Sequence, residues 1–487
     1  VANILAQNYS NDNLGALDLA ADIVDASTMG TSWGIESLVS RVNYNLDYKY
    51  YFTGSIRRDG SSRFGADRKY GIFPSFSAAW RITKEPFMND IDFLSDMKLR
   101  YSYGKTGNQD GINNFASRAL WTVAAAYNGS AGISPNRMGN AELEWETTTQ
   151  NNFGFDASFL DNRFSVTFDT YQKLTTGLLL DSNVPGFTGF TTVTRNIGEV
   201  MNSGAEFSFR SFNIDTEDFT WTTTFNVSTI KNEITKLEQD DQDIATNILK
   251  EGYPLGAFYL IHWEGVDPET GNSSYTDINA DGVINSGDMQ PIRDKTPWPD
   301  YFGGVGNSFS WKGFDLNIFF QFSMGNYVFN HSRYAQEQVG WSFNYGGFFI
   351  PYGNNTERVA NERWQNPGDI TDIPQASLGY EFDDEGNVIG APQPNWMEDC
   401  DQWLEDASYI RLKTFELGYR VPSSYAERYG FSSLRIYVLG QNLWTKTDYL
   451  GIDPEVSSNG EIITRVGEDY GGLGQPKTVY FGINVGI

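Results

Sequence analysis

Apolar and polar residues alternate with a period of two in several segments of the chain. Between Phe219 and Val227 the odd positions 219, 221, 225 and 227 are apolar, whereas the even positions are Thr or Asn. From Phe314 to Phe322 the even positions are apolar, and from Val479 to Ile487 the odd positions are apolar. This period is that of a β-strand with one apolar and one polar face. These segments are therefore predicted to be two-faced strands, neither helices nor buried parallel strands.

Read along the whole chain, the same pattern predicts thirteen strands. They are expected at residues 39–46, 50–60, 74–83, 97–105, 147–160, 164–174, 204–212, 219–230, 301–310, 314–323, 408–420, 434–443 and 478–487. Short connections alternate with connections that are at least as long, and the longest lie at 231–300 and 324–407. Transmembrane β-barrels sort their connections in this way, with short periplasmic turns and long extracellular loops. The prediction is therefore an all-β protein whose strands form an antiparallel transmembrane barrel.

Thirteen strands do not make a complete barrel of the usual kind. Bacterial single-chain barrels mostly have an even number of strands. An unclosed sheet in lipid would also leave backbone groups unpaired, at a cost of several kcal/mol each. We therefore expect further strands upstream of Val1. Residues 1–38 are expected to be the end of an extracellular loop, and residues 39–487 the C-terminal part of the barrel.

Composition and charge narrow the classes of function. Mean hydropathy is -0.43, and no segment has the roughly 20 apolar residues of a membrane-spanning helix. Aromatic residues make up 15% of the chain, which suits the aromatic girdles of a membrane barrel. The net charge of -27 argues against nucleic acid as a partner. A single cysteine, Cys400, and two histidines, His262 and His331, leave little for disulfide or acid–base chemistry.

Seven motifs carry a resemblance to one family. The stretch from Tyr51 to Trp80 reads YFTGSIRRDGSSRFGADRKYGIFPSFSAAW. It is followed by LRYSYGKTGNQ from Leu99, LEWETTTQ from Leu143, NIGEV with NSGAE from Asn196, GVDPETG from Gly265, DASYIRLK from Asp406 and GQNL from Gly440. Together these motifs resemble the SusC/RagA family of TonB-dependent outer-membrane transporters. The final residue departs from the family pattern, because such barrels commonly end in an aromatic residue and this chain ends in Ile487.

The resemblance implies a 22-stranded barrel in the outer membrane of a Gram-negative, Bacteroidota-like bacterium. It implies an N-terminal plug domain, which is not expected in this chain, a SusD-like lipoprotein cap and energy supplied by TonB. The implied function is import of oligosaccharides or oligopeptides, with no enzymatic activity. The alternatives are a scaffold subunit of a larger outer-membrane complex and, more distantly, a soluble carbohydrate-active β-protein.

One segment has the spacing of a calcium loop. In DINADGVINSGD, from Asp277 to Asp288, oxygen side chains occupy loop positions 1, 3, 5, 9 and 12, and Gly occupies position 6. That is the pattern of the EF-hand loop, whose hard oxygen ligands suit Ca²⁺. The expected ligands are Asp277, Asn279, Asp281, Val283 through its carbonyl, Asn285 and Asp288. The alternative is a solvated turn rich in Asn, Asp and Gly.

Residues 324–352 form an unusually aromatic predicted loop. Its candidate substrate-facing or cap-facing residues are Tyr327, Phe329, Tyr334, Trp341, Phe343 and Tyr345. Aromatic faces pack against the apolar faces of sugars and against peptide side chains. The alternative is a loop that packs on itself.

Two further patterns are interpreted without catalytic roles. Gly30 to Gly34 matches the G-x-S-x-G nucleophile elbow, but the strand and helix that the motif needs are not apparent. Glu142, Glu144 and Glu146 alternate onto one face before a predicted strand and are interpreted as solvated rim residues.

Overall fold

The computed structural model describes residues 2–9, 20–28, 30–127, 130–237, 242–244, 246–337, 344–345, 348–349, 356–376, 381–382, 388–390, 395, 397, 399–460 and 462–487. Its main feature is one large antiparallel sheet, which we call the wall. The wall strands are β1 (Ile35–Leu46), β2 (Tyr50–Ser61), β3 (Tyr70–Arg81), β4 (Leu94–Asn108), β5 (Glu146–Phe159), β6 (Phe164–Thr176), β7 (Glu199–Asp215), β8 (Phe219–Thr229), β9 (Tyr301–Trp311), β10 (Phe314–Met324), β11 (Tyr409–Val421), β12 (Ser433–Thr447) and β13 (Thr478–Gly486).

The wall is an up-and-down meander. Each strand pairs with the next in chain order, from β1 to β13, and the short strand Lys231–Lys236 pairs with the outer part of β7. Within the described residues β1 and β13 do not pair with each other, so the sheet is not closed. All thirteen predicted strands are thus confirmed, in the predicted order and with antiparallel pairing.

Some strands run further than the alternation predicted. β1 begins at Ile35 instead of 39, β3 begins at Tyr70 instead of 74, and β7 begins at Glu199 instead of 204. The reason is that backbone pairing continues where side-chain alternation stops: Asp59 pairs with Gly71, and Gly60 with Tyr70. The connection between β2 and β3 is consequently residues 62–69, shorter than the 82–93 connection on the opposite edge.

Two of the short connections are tight turns. Between β9 and β10 only Lys312 and Gly313 intervene, with φ values of 46° and 91°. Between β1 and β2, Asp47 and Tyr48 both have a φ of 53°. Left-handed central residues give the turn the twist of the strands that it joins. The connections at this edge of the wall have at most 12 residues, whereas the long loops 109–145, 230–300, 325–408 and 448–477 all lie at the other edge.

Register separates the side chains of the wall into two faces. Residues directly opposite one another on neighbouring antiparallel strands point to the same side of a sheet. On the polar face, Thr53, Ser77, Ser102 and Asn152 are consecutive partners across β2 to β5. On the apolar face the corresponding positions are largely aliphatic or aromatic, and many of them are exposed, including Leu38, Val42, Phe52, Ile56, Ile72, Phe153 and Phe481.

Aromatic rings border the apolar face. At the edge with short turns, Trp221 stacks on Phe309 at 5.6 Å, and Phe314 lies 4.6 Å from Tyr419. At the loop edge, Tyr301 and Phe322 are 6.3 Å apart. The apolar face therefore has an aromatic border at both edges.

The remaining elements are short and lie before β1 or in the connections between wall strands. Strands span Ala2–Tyr9, Ala20–Thr28, Leu120–Tyr127, Ser130–Arg137, Leu179–Asn183, Thr192–Asn196, Gln242–Ile244, Asn247–Leu249, Ala257–Leu260, Trp263–Val266, Ser273–Tyr275, Gln290–Pro291, Tyr327–Asn330, Asn344–Tyr345, Phe348–Phe349, Glu381–Phe382, Val388–Gly390, Leu404–Asp406 and Glu468–Asp469. Helices span His331–Glu337, Glu357–Glu362 and Ser423–Ala426, with 3-10 turns at Ile82–Lys84, Pro86–Met88, Gly186–Thr188, Ser286–Asp288, Asp401–Trp403, Glu427–Tyr429 and Ile463–Arg465. None of the helices that the structure describes is long and apolar enough to cross a membrane.

Candidate functional site

The polar face carries an ionic cluster that crosses three strands. Arg100 on β4 donates from Nε to Asp156 on β5 at 2.8 Å and from Nη2 to Asp169 on β6 at 2.8 Å. Its Nη1 also donates to Asp169, at 2.9 Å. The planar guanidinium thus binds two carboxylates with forked geometry. Charge on this face is therefore paired across strands.

A second cluster lies near the short-turn edge of the same face. Arg435 on β12 donates to Asp315 on β10 at 2.9 Å and to Glu416 on β11 at 2.6 Å. The two clusters lie on different parts of the wall, one on β4 to β6 and the other on β10 to β12. Both lie on the same polar face of the wall.

Three of the sequence motifs meet in a small core at the loop edge. Phe64 and Phe73, from the stretch that begins at Tyr51, pack with Leu143 and Trp145 of the LEWETTTQ motif. Trp145 Nε1 donates to the carbonyl of Lys69 at 3.1 Å. Arg63 reaches across to the carbonyl of Gln109 at 3.1 Å, in the LRYSYGKTGNQ motif. The contacts that these motifs make in the described residues therefore stabilise the loop edge of the wall.

Loops 230–300 and 325–408 pack on one another through a shared hydrophobic core, and loop 448–477 joins them; we call this unit of three loops the loop body. Its buried residues come from two of the loops: Phe258, Leu260, Ile261 and Tyr275 from the first, and Phe329, Val359, Ile373, Cys400, Trp403 and Leu404 from the second. The third loop joins through Glu468 and Asp469, which pair in parallel with Phe329 and Asn330. Thr246 also donates to Glu468 at 2.8 Å. Buried contacts thus hold the described parts of these loops together as one packed unit.

The candidate aromatic residues have different positions in this unit. Phe329 is 0% exposed, and Tyr327 and Tyr334 pack against the same core. Tyr334 meets Trp403 edge to face at 5.5 Å. Trp341 and Phe343 lie outside the described residues, and Tyr345 belongs to the strand Asn344–Tyr345. The three residues whose side chains are described therefore contribute to packing, and a contact of the aromatic residues with substrate or cap stays a prediction.

The loop at 277–288 folds through its own side-chain oxygens. Asp277 accepts from the backbone N–H of Gly282 at 2.8 Å, and Asp281 accepts from that of Val283 at 2.8 Å. Asp288 is buried and accepts from the backbone N–H of Asn285 at 2.9 Å. This N–H donation outweighs the effect of burial and holds the pKa of Asp288 below its usual range.

Three observations bear on whether this loop can bind a cation. Asp277 Oδ1 is buried and has no hydrogen-bond partner in the structure. Gly282, at the position of the sharp turn, has a φ of 80°, as that position requires. Over the described ranges, however, no group of three or more His, Cys, Asp or Glu side chains is placed to hold a metal ion. The loop therefore has the turn and one unpaired oxygen of a calcium loop, but its three carboxylates do not lie close enough together to bind one ion.

The residues that could have carried catalysis lie in surroundings that do not favour it. Residues 30–34 are followed by the strand β1, and not by the helix that a nucleophile elbow needs. Glu142 and Glu144 are exposed and form ion pairs with Arg68, at 3.3 and 3.1 Å. His262 lies 2.8 Å from Asp401 and is half exposed. Burial raises the pKa of the Cys400 thiol, which disfavours its reactive thiolate.

Sequence reasoning missed a buried ion cluster between the wall and the last loop. Arg411, within the DASYIRLK motif, binds Asp453 and Glu455 of loop 448–477. The only sequence signal was the presence of that motif, because an ion pair between distant segments leaves no local pattern.

Comparison with known proteins gives a consistent result. Residues 5–277 match the family model described as "TonB dependent receptor-like, beta-barrel". TonB-dependent receptor P3 of Formosa agariphila is 34% identical over 482 residues, which cover 92% of this chain and 45% of that protein. TonB-dependent receptor SusC of Bacteroides thetaiotaomicron is 32% identical over 464 residues, covering 90% and 43% respectively.

Among solved structures, that of the RagAB peptide transporter matches with a TM-score of 0.81 and 27% identity, covering 98% of this chain and 50% of that chain. The chain therefore spans about half the length of the relatives that it matches.

Proposed function

Because this chain belongs to the TonB-dependent receptor β-barrel family, in its SusC/RagA type, we propose that it forms part of the wall of an outer-membrane importer. The observation that carries this proposal is the two-faced wall. Its apolar face is exposed and bordered by aromatic residues at both edges, as expected for a surface in contact with lipid. Its polar face would line the lumen.

The edge with long loops would face the outside of the cell. Long loops are extracellular and short turns periplasmic in barrels of this kind. The polar face, with its paired charges and its rows of Ser, Thr and Asn, would present hydrogen-bonding groups to a hydrophilic solute. We infer that the solute is an oligosaccharide or an oligopeptide.

The proposed partners follow from the same family. A SusD-like lipoprotein would sit over the loop body, and TonB would supply energy through a plug domain outside this chain. The transporter itself would perform no covalent chemistry.

Uptake by living cells tests the import function. Labelled oligosaccharides and labelled peptides are offered to wild-type cells, to cells lacking the gene, and to wild-type cells treated with a protonophore. The proposal expects energy-dependent uptake of one class, lost in both other conditions. Unchanged uptake of both classes without the gene, under conditions in which the protein is made, would favour the scaffold alternative.

We also propose that loop 277–288 binds Ca²⁺. Asp277 Oδ1 is free to accept a cation, and a carboxylate oxygen that accepts an N–H retains a second lone pair. The ion would stiffen the loop body on its outer side. Calcium is expected to slow proteolysis of this loop, and Asp277→Asn is expected to remove that protection. Cleavage at the same rate with millimolar calcium or with chelator would contradict the proposal.

A further inference from the structure

Arg411 of the wall forms an ion cluster with Asp453 and Glu455 of loop 448–477. Arg411 lies on the polar face of β11 and is 2% exposed. Its Nη2 lies 2.5 Å from Asp453 Oδ1, its Nη1 binds Glu455, and its Nε donates to Thr445 on β12 at 3.0 Å. Every nitrogen of the guanidinium that can donate therefore has a partner, and two of the three partners are carboxylates of the loop.

Glu455 is held by two strands of the wall. It accepts from Tyr409 at 2.7 Å and from Gln321 on β10 at 3.0 Å. Lys413 adds a further ion pair at 3.3 Å. The carboxylate that enters from the loop is thus surrounded by donors that belong to the wall.

Asp453 joins the two arms of loop 448–477 beside Arg411. Its Oδ1 accepts from the backbone N–H of Glu455 at 2.9 Å, and its Oδ2 accepts from that of Gln475 at 2.7 Å. The outgoing and returning arms of the loop are therefore joined by one carboxylate, which is itself bound to Arg411.

The loop is also held by an internal hydrogen bond and by the neighbouring loop 325–408. Within the loop, Tyr449 donates to Asp469 at 2.8 Å, and both residues are buried. Glu468 and Asp469 in turn pair with the strand Tyr327–Asn330 of the neighbouring loop. The backbone N–H of Leu450 donates to Glu405 at 2.8 Å. Loop 448–477 is thus anchored to the wall through Arg411 and to its neighbouring loop through separate contacts.

We infer that residues 452–455 are a fixed, inward-folded part of the pore lining, positioned by Arg411, and not a gate. Their contacts Gln321 and Arg411 lie on the polar face, which lines the lumen if the proposed import function holds. Moving the segment away would leave the buried charge of Arg411 without its carboxylates, and removing one partner of a buried pair is strongly unfavourable. Segments that open readily have few buried contacts and exposed hydrogen bonds. This segment has the opposite character, so it would narrow the outer mouth in every state of the transport cycle.

Cross-linking tests whether the segment moves. Gln321→Cys and Glu455→Cys are combined in the native gene, which leaves the Arg411–Asp453 pair in place, and are joined with a short bifunctional thiol reagent that reduction removes. A linker is used because both replaced side chains are long and a direct disulfide needs Cα atoms within about 7 Å. Each single variant, treated with the same reagent, is the control, and Cys400 is fully buried. Uptake equal before and after cross-linking is expected. Uptake lost on cross-linking and restored by reduction would overturn the inference.

A second measurement does not depend on transport. Arg411→Lys keeps the charge but loses the fork that binds two carboxylates. Amide exchange at 453–456 and at Gln475 is expected to rise at least tenfold in this variant, with β1 to β4 unchanged. Arg420→Lys, on the same face of the same strand, is the control. Equal exchange in Arg411→Lys and wild type would also overturn the inference. Failure of uptake in wild-type cells, by contrast, would count against the import function alone.

Discussion

The loop body allows a sharp test of whether Phe329 is a packing residue or a ligand contact. Phe329 is 0% exposed, lies in the shared core of the loops and contacts His331 with ring centroids 4.4 Å apart. Replacing a buried Phe by Ala costs about 3 to 5 kcal/mol, from lost burial and the cavity left behind. Phe329→Ala is therefore expected to destabilise the loop body by about that amount, while the wall, which has its own hydrogen-bonded ladder, keeps its stability.

Native-state hydrogen exchange measures this difference region by region. Because each 1.4 kcal/mol is a factor of ten, the slowest amides of the loop body should exchange on the order of 100-fold to several thousand-fold faster in Phe329→Ala. Ile370→Ala is the matched control, since Ile370 lies in the same loop and is 93% exposed. Its effect should stay within about 0.5 kcal/mol. Unchanged exchange in Phe329→Ala, with uptake lost, would refute the packing role and favour ligand contact.

Two further predictions concern single positions in the loops. Gly271→Ala should loosen the turn of the GVDPETG motif by about 2 kcal/mol or more, because φ there is 74° and a Cβ would lie 2.4 Å from the Trp364 ring. Gly252→Ala, with a φ of 81° and open space, should cost about 1 to 2 kcal/mol, and equal loss of protease resistance in the two variants would contradict this reading. Burial raises the pKa of Asp453, but the hydrogen bonds from Arg411 and from backbone N–H groups outweigh it and hold that pKa below its usual range. The stabilisation is therefore present at neutral pH and lost as pH falls below about 4. The protection of loop 448–477, measured as exchange relative to the intrinsic rate at each pH, should therefore fall there in wild type but not in Asp453→Asn.

The strands of the wall were predictable because the residue pattern that identifies each strand lies within that strand. A period of two appears within each strand, and the order of short and long connections follows from the strands alone, so the thirteen strands and their pairing were predicted from sequence. The strand extensions at Ile35, Tyr70 and Glu199 were not, since backbone pairing there continues without alternating side chains.

The loop body could not be derived in the same way. Its core joins Phe258 to Cys400 and Trp403, which belong to different loops and follow no common period. The aromatic composition of residues 324–352 could be noticed, but whether Phe329 pointed to a ligand or to a core depended on contacts from another loop. The same holds for Arg411, whose partners Asp453 and Glu455 lie beyond the next strand. The calcium spacing was visible in the sequence, and its occupancy stays a prediction.

The orientation of the two faces is the claim on which the account depends most. Single cysteines carrying spin labels at Thr53 and Ser77, on the polar face, and at Phe52 and Ala78, on the apolar face, test it in the membrane-embedded protein. The account predicts that labels at Thr53 and Ser77 collide with a water-soluble nickel chelate, and that labels at Phe52 and Ala78 collide with oxygen dissolved in lipid. Equal accessibility to both reagents at all four positions, or the reverse pattern, would contradict it.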